Sequence, residues 1–155
     1  ENAGTFMEIT GGMLCKLNPN GETQYETFEP SEALAGRGIL SLEEKFLAGQ
    51  GQNITPARFH KDEKKRSIIS KKVQEDLKRV AETLNVEGYC RIDAFVRIYD
   101  DLNVETIIIE VNSLPGLTPA TAIFHQAAIN GYKPADLLEK IIRFGKDKIA
   151  SIINV

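Results

Sequence analysis

The chain has 155 residues, of which 42% are hydrophobic and 26% are charged, and its net charge is −3. These values are typical of one soluble domain with a single core, and the negative charge gives no general attraction for nucleic acid or an anionic membrane. No hydrophobic run approaches the roughly 20 residues of a membrane span, and no secretory signal pattern opens the chain.

The start of the chain predicts a fragment. The first residue is Glu1 rather than Met, and a strand-like stretch follows within a few residues. We therefore expect residues 1–155 to be one domain cut from a longer protein.

The first half predicts a β-hairpin and a long loop. Residues 5–17 and 23–29 have strand patterns, and Asn18-Pro19-Asn20-Gly21 between them is a strong turn signal. Residues 30–58 are rich in Gly, Ser, Gln and Asn and show little periodicity, which predicts a long loop with a functional role. Cys15 and Cys90 lie in hydrophobic stretches, so we expect two buried thiols rather than a disulfide.

The second half predicts a helix, a second hairpin and two more helices. The first helix should end near Gly88, because hydrophobic residues repeat at helical spacing before it, namely Ile69, Val73, Leu77, Val80 and Leu84. Strands at 89–98 and 104–112 follow. Thr118-Pro119 should cap and open a helix that ends near Asn130-Gly131.

Pro134 should open the last helix, with a buried side formed by Leu137, Leu138, Ile141, Ile142 and Ile149. The order of elements predicts an α+β fold, with a mostly antiparallel sheet and helices packed on one side.

Side-chain alternation on the second hairpin predicts a polar face. A turn centred between Asp101 and Leu102 places Asp93 opposite Glu110, Arg91 opposite Asn112 and Phe95 opposite Ile108. The other face is hydrophobic and should meet the helices; it comprises Ile92, Ala94, Val96, Ile98, Ile107, Ile109 and Val111.

The predicted pair of carboxylates, about 5 Å apart, is destabilising unless a positive charge offsets it. One interpretation is an ion pair with Arg91 at a solvated surface. The other is a divalent metal, because two carboxylates and the Asn112 amide are hard oxygen ligands that suit magnesium. A Pro-Gly turn and a capped helix follow Glu110, and free backbone amides at a helix N-terminus favour anions.

Two motifs resemble the C-terminal signature of the D-alanine–D-alanine ligases, members of the ATP-grasp superfamily. They are Cys90-Arg91-Ile92-Asp93 and Glu110-Val111-Asn112-Ser113-Leu114-Pro115-Gly116-Leu117-Thr118. Upstream, Met7-Glu8-Ile9-Thr10 is similar to the family's Glu-x-Thr strand, and Glu44-Lys45-Phe46 resembles the start of its ω-loop. The resemblance covers nearly the whole chain and implies the C-terminal ATP-grasp subdomain.

The resemblance implies roles for the residues that match. Asp93, Glu110 and Asn112 would hold two magnesium or manganese ions, with Glu110 bridging them. Arg91 would contact the transferring phosphate or the acyl phosphate, and the N–H of Gly116 would help to form an oxyanion hole.

The remaining matches concern ATP and the second substrate. Glu8 would bind the ribose of ATP, and Lys45 would reach its γ-phosphate. Thr121 would bind the carboxylate of the second amino acid, where the family usually has Ser. Phe46 stands where the family usually has Tyr, which leaves open whether the second substrate is an amino acid or a hydroxy acid.

The implied activity is ATP-dependent formation of D-Ala–D-Ala through an acyl phosphate, for peptidoglycan synthesis in a bacterial cytoplasm. The substrates are ATP and D-alanine, no nucleic acid or membrane is involved, and the resemblance allows a homodimer. Family members also need an N-terminal domain and a small ATP-clamping lobe. We therefore expect the isolated fragment to fold but to turn over little or no substrate.

Two other functions remain open. Phe46 and Thr121 are compatible with another ATP-grasp carboxylate–amine ligase or a depsipeptide ligase of the D-Ala–D-lactate type. A non-catalytic module that retains the fold is the third possibility.

Overall fold

The computed structural model describes residues 4–34, 52–118 and 121–153. In chain order the elements are β1 (Thr5–Leu17), β2 (Thr23–Thr27), β3 (Ser31–Leu34), β4 (Gln52–Ile54), α1 (Glu63–Thr83), β5 (Tyr89–Ile98), β6 (Val104–Asn112), α2 (Ala122–Ile129) and α3 (Pro134–Ile153). The strands form one antiparallel sheet in the order β4-β3-β1-β5-β6, and β2 also pairs with β1. The predicted α+β class with a mostly antiparallel sheet is confirmed.

The first hairpin, β1–β2, forms as predicted. Its turn is held by the side chain of Asn18, whose Oδ1 accepts hydrogen bonds from the backbone N–H groups of Asn20 and Glu22, both at 2.9 Å. The long loop expected at 30–58 needs correction, because its two ends pair as β3 and β4. Its low periodicity concealed these strands, which are only four and three residues long.

Helix α1 is amphipathic, as its spacing predicts. Asp62 caps it by accepting a hydrogen bond from the backbone N–H of Lys65. The helix ends at Thr83, earlier than the predicted end near Gly88. It stops because Asn85 adopts a left-handed backbone with φ of 51°, a conformation that cannot continue an α-helix.

The two C-terminal helices differ from the prediction in detail. Helix α2 starts at Ala122 with Thr121 as its N-cap, three residues beyond the cap predicted at Thr118. The buried side of α3 is narrower than predicted. Leu137 is buried and Ile141 is half-buried, but the other three members of the set are exposed: Leu138 at 37%, Ile142 at 58% and Ile149 at 59%.

The helices lie on both faces of the sheet, which corrects the one-sided packing expected from the sequence. Two adjacent glycines of β1 show this, because neighbouring residues of a strand point to opposite faces. A Cβ atom at Gly11 would lie 2.3 Å from Leu77 of α1, whereas a Cβ atom at Gly12 would lie 3.1 Å from Ile123 of α2. Each glycine therefore allows a helix to approach the strand closely.

Two hydrophobic cores result from this arrangement. The larger lies between α1 and the sheet and includes Ile9, Met13, Ile69, Val73, Leu77, Ile92 and Val96. The smaller is formed with α2 and α3 by Leu14, Phe28, Ile123, Phe124, Ala127 and Leu137. Cys15 and Cys90 are free and buried, as predicted. None of the described helices is long and apolar enough to cross a membrane.

The second hairpin, β5–β6, has the predicted strand ends and part of the predicted register. Asp93 pairs with Glu110 and Arg91 with Asn112, as expected. Phe95, however, pairs with Ile107 rather than Ile108.

Two one-residue differences explain this register. The backbone N–H of Tyr99 donates to the carbonyl of Asn103, so the turn is centred on Asp101 and not beyond it. A β-bulge at Ile109 then adds one residue to β6 and restores the predicted pairing at Glu110.

The bulge also changes which residues of β6 face the helices. Ile107 and Ile109, expected on the buried face, are each 40% exposed. Val104, Ile108 and Val111 pack against the larger core instead.

Candidate functional site

The candidate site lies on the sheet face opposite α1, where β1, β5 and β6 run side by side. Thr10, Asp93 and Glu110 form one row across the three strands. Gly12, Arg91 and Asn112 form the next row, and these six residues share one face. The structure therefore brings together all four hairpin residues that the sequence singled out.

Arg91 offsets the negative charge of the two acids. Its Nε and Nη2 atoms donate to Oδ1 and Oδ2 of Asp93, each at 3.0 Å, and its Nη2 lies 3.8 Å from Oε1 of Glu110. The Nδ2 of Asn112 donates to the same Oε1 at 3.0 Å. The ion pair that the sequence offered as one interpretation is thus present.

The pairing leaves hydrogen-bonding capacity for ligands. Arg91 uses two of the five N–H groups of a guanidinium, and its side chain is 34% exposed. Each oxygen of Asp93 accepts one hydrogen bond from Arg91 and can accept more. A phosphate could therefore bind Arg91 without separating it from Asp93.

The donor set also fits a hard divalent cation. Within the part of the chain that the structure describes, no three His, Cys, Asp or Glu side chains are grouped to hold a metal ion. Two carboxylates and one amide oxygen on a single face could nevertheless hold magnesium, which usually keeps several waters and takes phosphate oxygens as further ligands. Asp93 is 6% exposed, and the Glu110 side chain is 49% exposed, so the first carboxylate is buried and the second is accessible.

Gly116, which follows β6, and Thr121, the N-cap of α2, lie close together. Pro115 is buried, and its carbonyl accepts a hydrogen bond from the hydroxyl of Tyr89 at 3.4 Å. Gly116 is exposed, and a Cβ atom there would lie 3.7 Å from Cγ2 of Thr121. The Thr121 hydroxyl donates to the carbonyl of Thr118 at 2.7 Å, so it must rotate before it can donate to a ligand.

Glu8 lies on the same face of β1 as Thr10 and is 9% exposed. An exposed apolar surface adjoins it. Phe95, its partner on β5, stacks on Phe6 with ring centroids 4.9 Å apart, and Ile107 lies beyond Phe95 on β6. The sequence predicted Phe95 on this face opposite Ile108, but not this surface, because Phe6 joins it through the pairing of β1 with β5, which leaves no local signal.

Sequence reasoning also missed a buried polar cluster beneath α2. Gln126 is fully buried, and its Nε2 donates to the backbone carbonyl of Thr10 at 2.7 Å and to Oγ of Ser31 at 2.9 Å. Ser31 in turn shares a 2.6 Å hydrogen bond with Thr55. A glutamine within the apolar run Ala122–Ile129 was the only signal in the sequence. Lys45 and Phe46 lie outside the described residues.

Comparison with known proteins assigns the chain to a family. The sequence model described as "D-ala D-ala ligase C-terminus" matches residues 7–143. The chain belongs to this family. The match contains every described candidate residue, from Glu8 to Thr121.

Curated members of the D-ala D-ala ligase family share about three residues in ten with the chain. A D-alanine–D-alanine ligase from Leptospira interrogans is 29% identical over 141 residues, which are 91% of this chain and 37% of that protein. One from Syntrophobacter fumaroxidans is 30% identical over 139 residues, 88% of this chain and 39% of that protein. The chain thus spans less than half the length of these relatives.

Solved ligases of the family have the same fold. A D-Ala:D-Ser ligase from Enterococcus faecalis superposes with a TM-score of 0.64 at 20% identity, covering 89% of this chain and 36% of that one. D-alanyl-alanine synthetase A from Vibrio cholerae gives a TM-score of 0.59 at 22% identity, covering 93% of this chain and 40% of that one.

Proposed function

We propose that this chain is the nucleotide- and metal-binding part of an ATP-dependent D-alanine–D-alanine ligase. The observation that carries the proposal is the row of Thr10, Asp93 and Glu110, with Arg91 and Asn112 beside it, in a chain of this family. The relatives are more than twice as long. The domain is therefore proposed to act with an N-terminal part of the same polypeptide, which would complete the site.

The proposed reaction has two steps. The carboxylate of the first D-alanine attacks the γ-phosphorus of ATP, forming an acyl phosphate and releasing ADP. The amine of the second D-alanine attacks the acyl carbon, loses a proton, and expels phosphate to leave D-Ala–D-Ala. The product would serve peptidoglycan synthesis in a bacterial cytoplasm.

Residues of the hairpin would handle the phosphates. Asp93, Glu110 and Asn112 would hold two magnesium ions, which neutralise charge on phosphate oxygens when bound. The free N–H groups of Arg91 would bind the transferring phosphate, because a guanidinium matches phosphate geometry. The N–H of Gly116 would stabilise the oxyanion that forms when the amine attacks.

Other residues would hold the substrates. The buried carboxylate of Glu8 would bind the ribose of ATP. The adenine base would pack against the apolar surface formed by Phe6, Phe95 and Ile107. The hydroxyl of Thr121 would bind the carboxylate of the second D-alanine. Lys45 would reach the γ-phosphate of ATP.

A second candidate is a ligase with a different second substrate, such as a D-Ala–D-lactate depsipeptide ligase. The observation that favours it is Phe46, which stands where the family usually has Tyr and therefore lacks the Tyr hydroxyl. A non-catalytic module that retains the fold is the third candidate.

The test measures phosphate release from ATP by the complete polypeptide that contains this chain. We expect turnover with magnesium and D-alanine, and a loss of about 100- to 1000-fold in Asp93→Asn and Glu110→Gln, as for other groups that stabilise transition-state charge. The matched control is Glu82→Gln. This residue makes an ion pair with Lys78 at 3.7 Å on α1, which lies on the opposite face of the sheet from the site.

Each outcome selects one candidate. Faster turnover with D-lactate than with D-alanine would favour the depsipeptide ligase. Full activity in both site variants, or no magnesium-dependent nucleotide binding in the wild type, would contradict the enzymatic proposal and leave the non-catalytic module.

A further inference from the structure

Gln126 is an unusual residue in the interior of this protein. It is fully buried on the side of α2 that also buries Phe124 and Ala127. Burying an amide group is unfavourable unless it forms hydrogen bonds. Both hydrogens of its Nε2 are used, one on the carbonyl of Thr10 and one on Oγ of Ser31.

These hydrogen bonds connect α2 to three parts of the sheet. Thr10 lies in β1 and pairs with Asp93 on β5. Ser31 lies at the start of β3, and its hydrogen bond to Thr55 reaches the residue that follows β4. Gln126 therefore joins the helix directly to β1, the strand beside the acidic pair, and to the start of β3. Through Ser31 it is also connected to Thr55, just after the end of β4.

Hydrophobic packing alone does not fix where α2 sits along β1. Ile123 and Ala127 pack against Leu14 and Phe28, but burial of apolar surface has no preferred direction. A hydrogen bond weakens steeply when its angle or length changes. The two hydrogen bonds of Gln126 therefore add a directional constraint on the position of the helix along the strand.

The position of α2 sets the position of its N-cap, Thr121, which lies next to Gly116. The helix lies close to β1. A Cβ atom added at Gly12 would come within 2.5 Å of Oε1 of Gln126, so only glycine fits there. A shift of α2 along β1 would carry Thr121 with it and change its distance from Asp93.

We propose that Gln126 is a positioning residue that holds Thr121 and its neighbour Gly116 in register with the acidic pair on β5 and β6. The inference rests on the proposed function, in which these two residues contact the accepting amino acid and the acidic pair binds the metal–nucleotide. Gln126 touches neither ligand. It acts through the backbone of Thr10 and through the N-terminal end of α2.

The first experiment measures amide hydrogen exchange in the protein itself. Gln126→Met keeps the size of the side chain and removes both hydrogen bonds. We expect exchange in residues 113–124 to become about tenfold faster or more, with exchange in the centres of β5 and β6 unchanged. The control is His125→Met, which places the same residue on the exposed side of the same helix.

The second experiment separates positioning from folding by steady-state kinetics of the complete polypeptide. We expect Gln126→Met to raise the KM for the accepting amino acid about 10- to 100-fold, since a displacement of about 1 Å can cost about 100-fold. The KM for ATP should change less than about twofold. A purely structural role would lower the active fraction, and with it kcat, and leave both KM values unchanged.

Ser31→Ala provides a milder variant if Gln126→Met does not fold, because it removes one of the two hydrogen bonds. Unchanged exchange in residues 113–124, or faster exchange throughout the protein, would refute the positioning role. Equal changes in both KM values would refute it as well. A wild-type polypeptide without ligase activity would instead contradict the proposed function, and amide exchange would still decide whether Gln126 anchors Thr121.

Discussion

Arg91 and Asp93 show how one arrangement can serve a site both with and without ligands. They lie two residues apart on β5, so both side chains point to the same face. Without ligands, Arg91 supplies the positive charge that the adjacent carboxylates need. When the site is loaded, the proposed cations would supply that charge, and the guanidinium would be available to bind phosphate.

The buried thiols lead to a prediction about reactivity. Burial raises the pKa of Cys15 to about 11 and that of Cys90 to about 12, from an ordinary value of 9.0. Only a thiolate reacts readily with iodoacetamide, and at pH 8 about one Cys15 thiol in a thousand would be ionised. We expect both thiols to react very slowly in the native protein and rapidly in concentrated urea, as followed by mass spectrometry.

The same shifts predict how stability depends on pH. The folded state disfavours the thiolate, whereas the unfolded chain ionises with a pKa near 9.0. The contribution of the two protonated thiols to stability is therefore complete below pH 9.0, and it is lost as the pH rises through their folded pKa values of about 11 and 12. The free energy of unfolding should therefore fall above pH 9. Cys90→Ala should show a shallower fall, and an identical slope would contradict the assignment to the thiols.

Sequence reasoning was effective for some residues of the site and not for others. Asp93 and Glu110 could be placed together because strand alternation and a short turn constrain a hairpin strongly. Gln126 could not be found, because its partners lie 116 and 95 residues away in the chain. Such a contact depends on how α2 packs on β1, which periodicity does not describe.

Among the helices, α3 shows the limits of the hydrophobic pattern. Its apolar residues cover more than one side, and only the side with Leu137 and Phe144 is buried among the described residues. Leu138, Ile142 and Ile149 were predicted to be buried because spacing alone does not show how wide a surface the sheet can cover.

The corrected burial predicts unequal effects of two similar substitutions in α3. Leu137→Ala should lower the free energy of unfolding by about 2–5 kcal/mol, because it leaves a cavity in the smaller core. Ile142 lies five residues further along the helix and is itself 58% exposed. Ile142→Ala should therefore change the free energy of unfolding by less than about 0.5 kcal/mol. Urea denaturation of both variants tests this, and a larger loss in Ile142→Ala would show that this side is covered in solution.

At the scale of the whole molecule, the two hairpins and the helices could be anticipated more easily than their arrangement. Turn signals and alternation indicated both hairpins. The pairing of β1 with β5, which joins the hairpins into one sheet, involves residues 75 to 93 positions apart and leaves no local signal. The packing of helices on both faces likewise depends on Gly11 and Gly12, whose role appears only when the helices are in place.

The β-bulge at Ile109 means that β6 has one residue more than its pairing with β5 requires. Ile107, Ile108 and Ile109 are identical in type, so deletion of any one of them yields the same sequence. The shortened strand could form a regular ladder with Glu110 still opposite Asp93, and we expect its free energy of unfolding to change by about 1 kcal/mol or less.

Deletion of Val111 is the matched control. There is no spare residue between Glu110 and Asn112, so Asn112 would turn towards the hydrophobic core. The free energy of unfolding should then fall by about 1–3 kcal/mol, because a polar group is buried without a partner. Denaturation of the two deletion variants distinguishes the cases. In genetic terms, the loss of one codon should be tolerated on one side of Glu110 and damaging on the other.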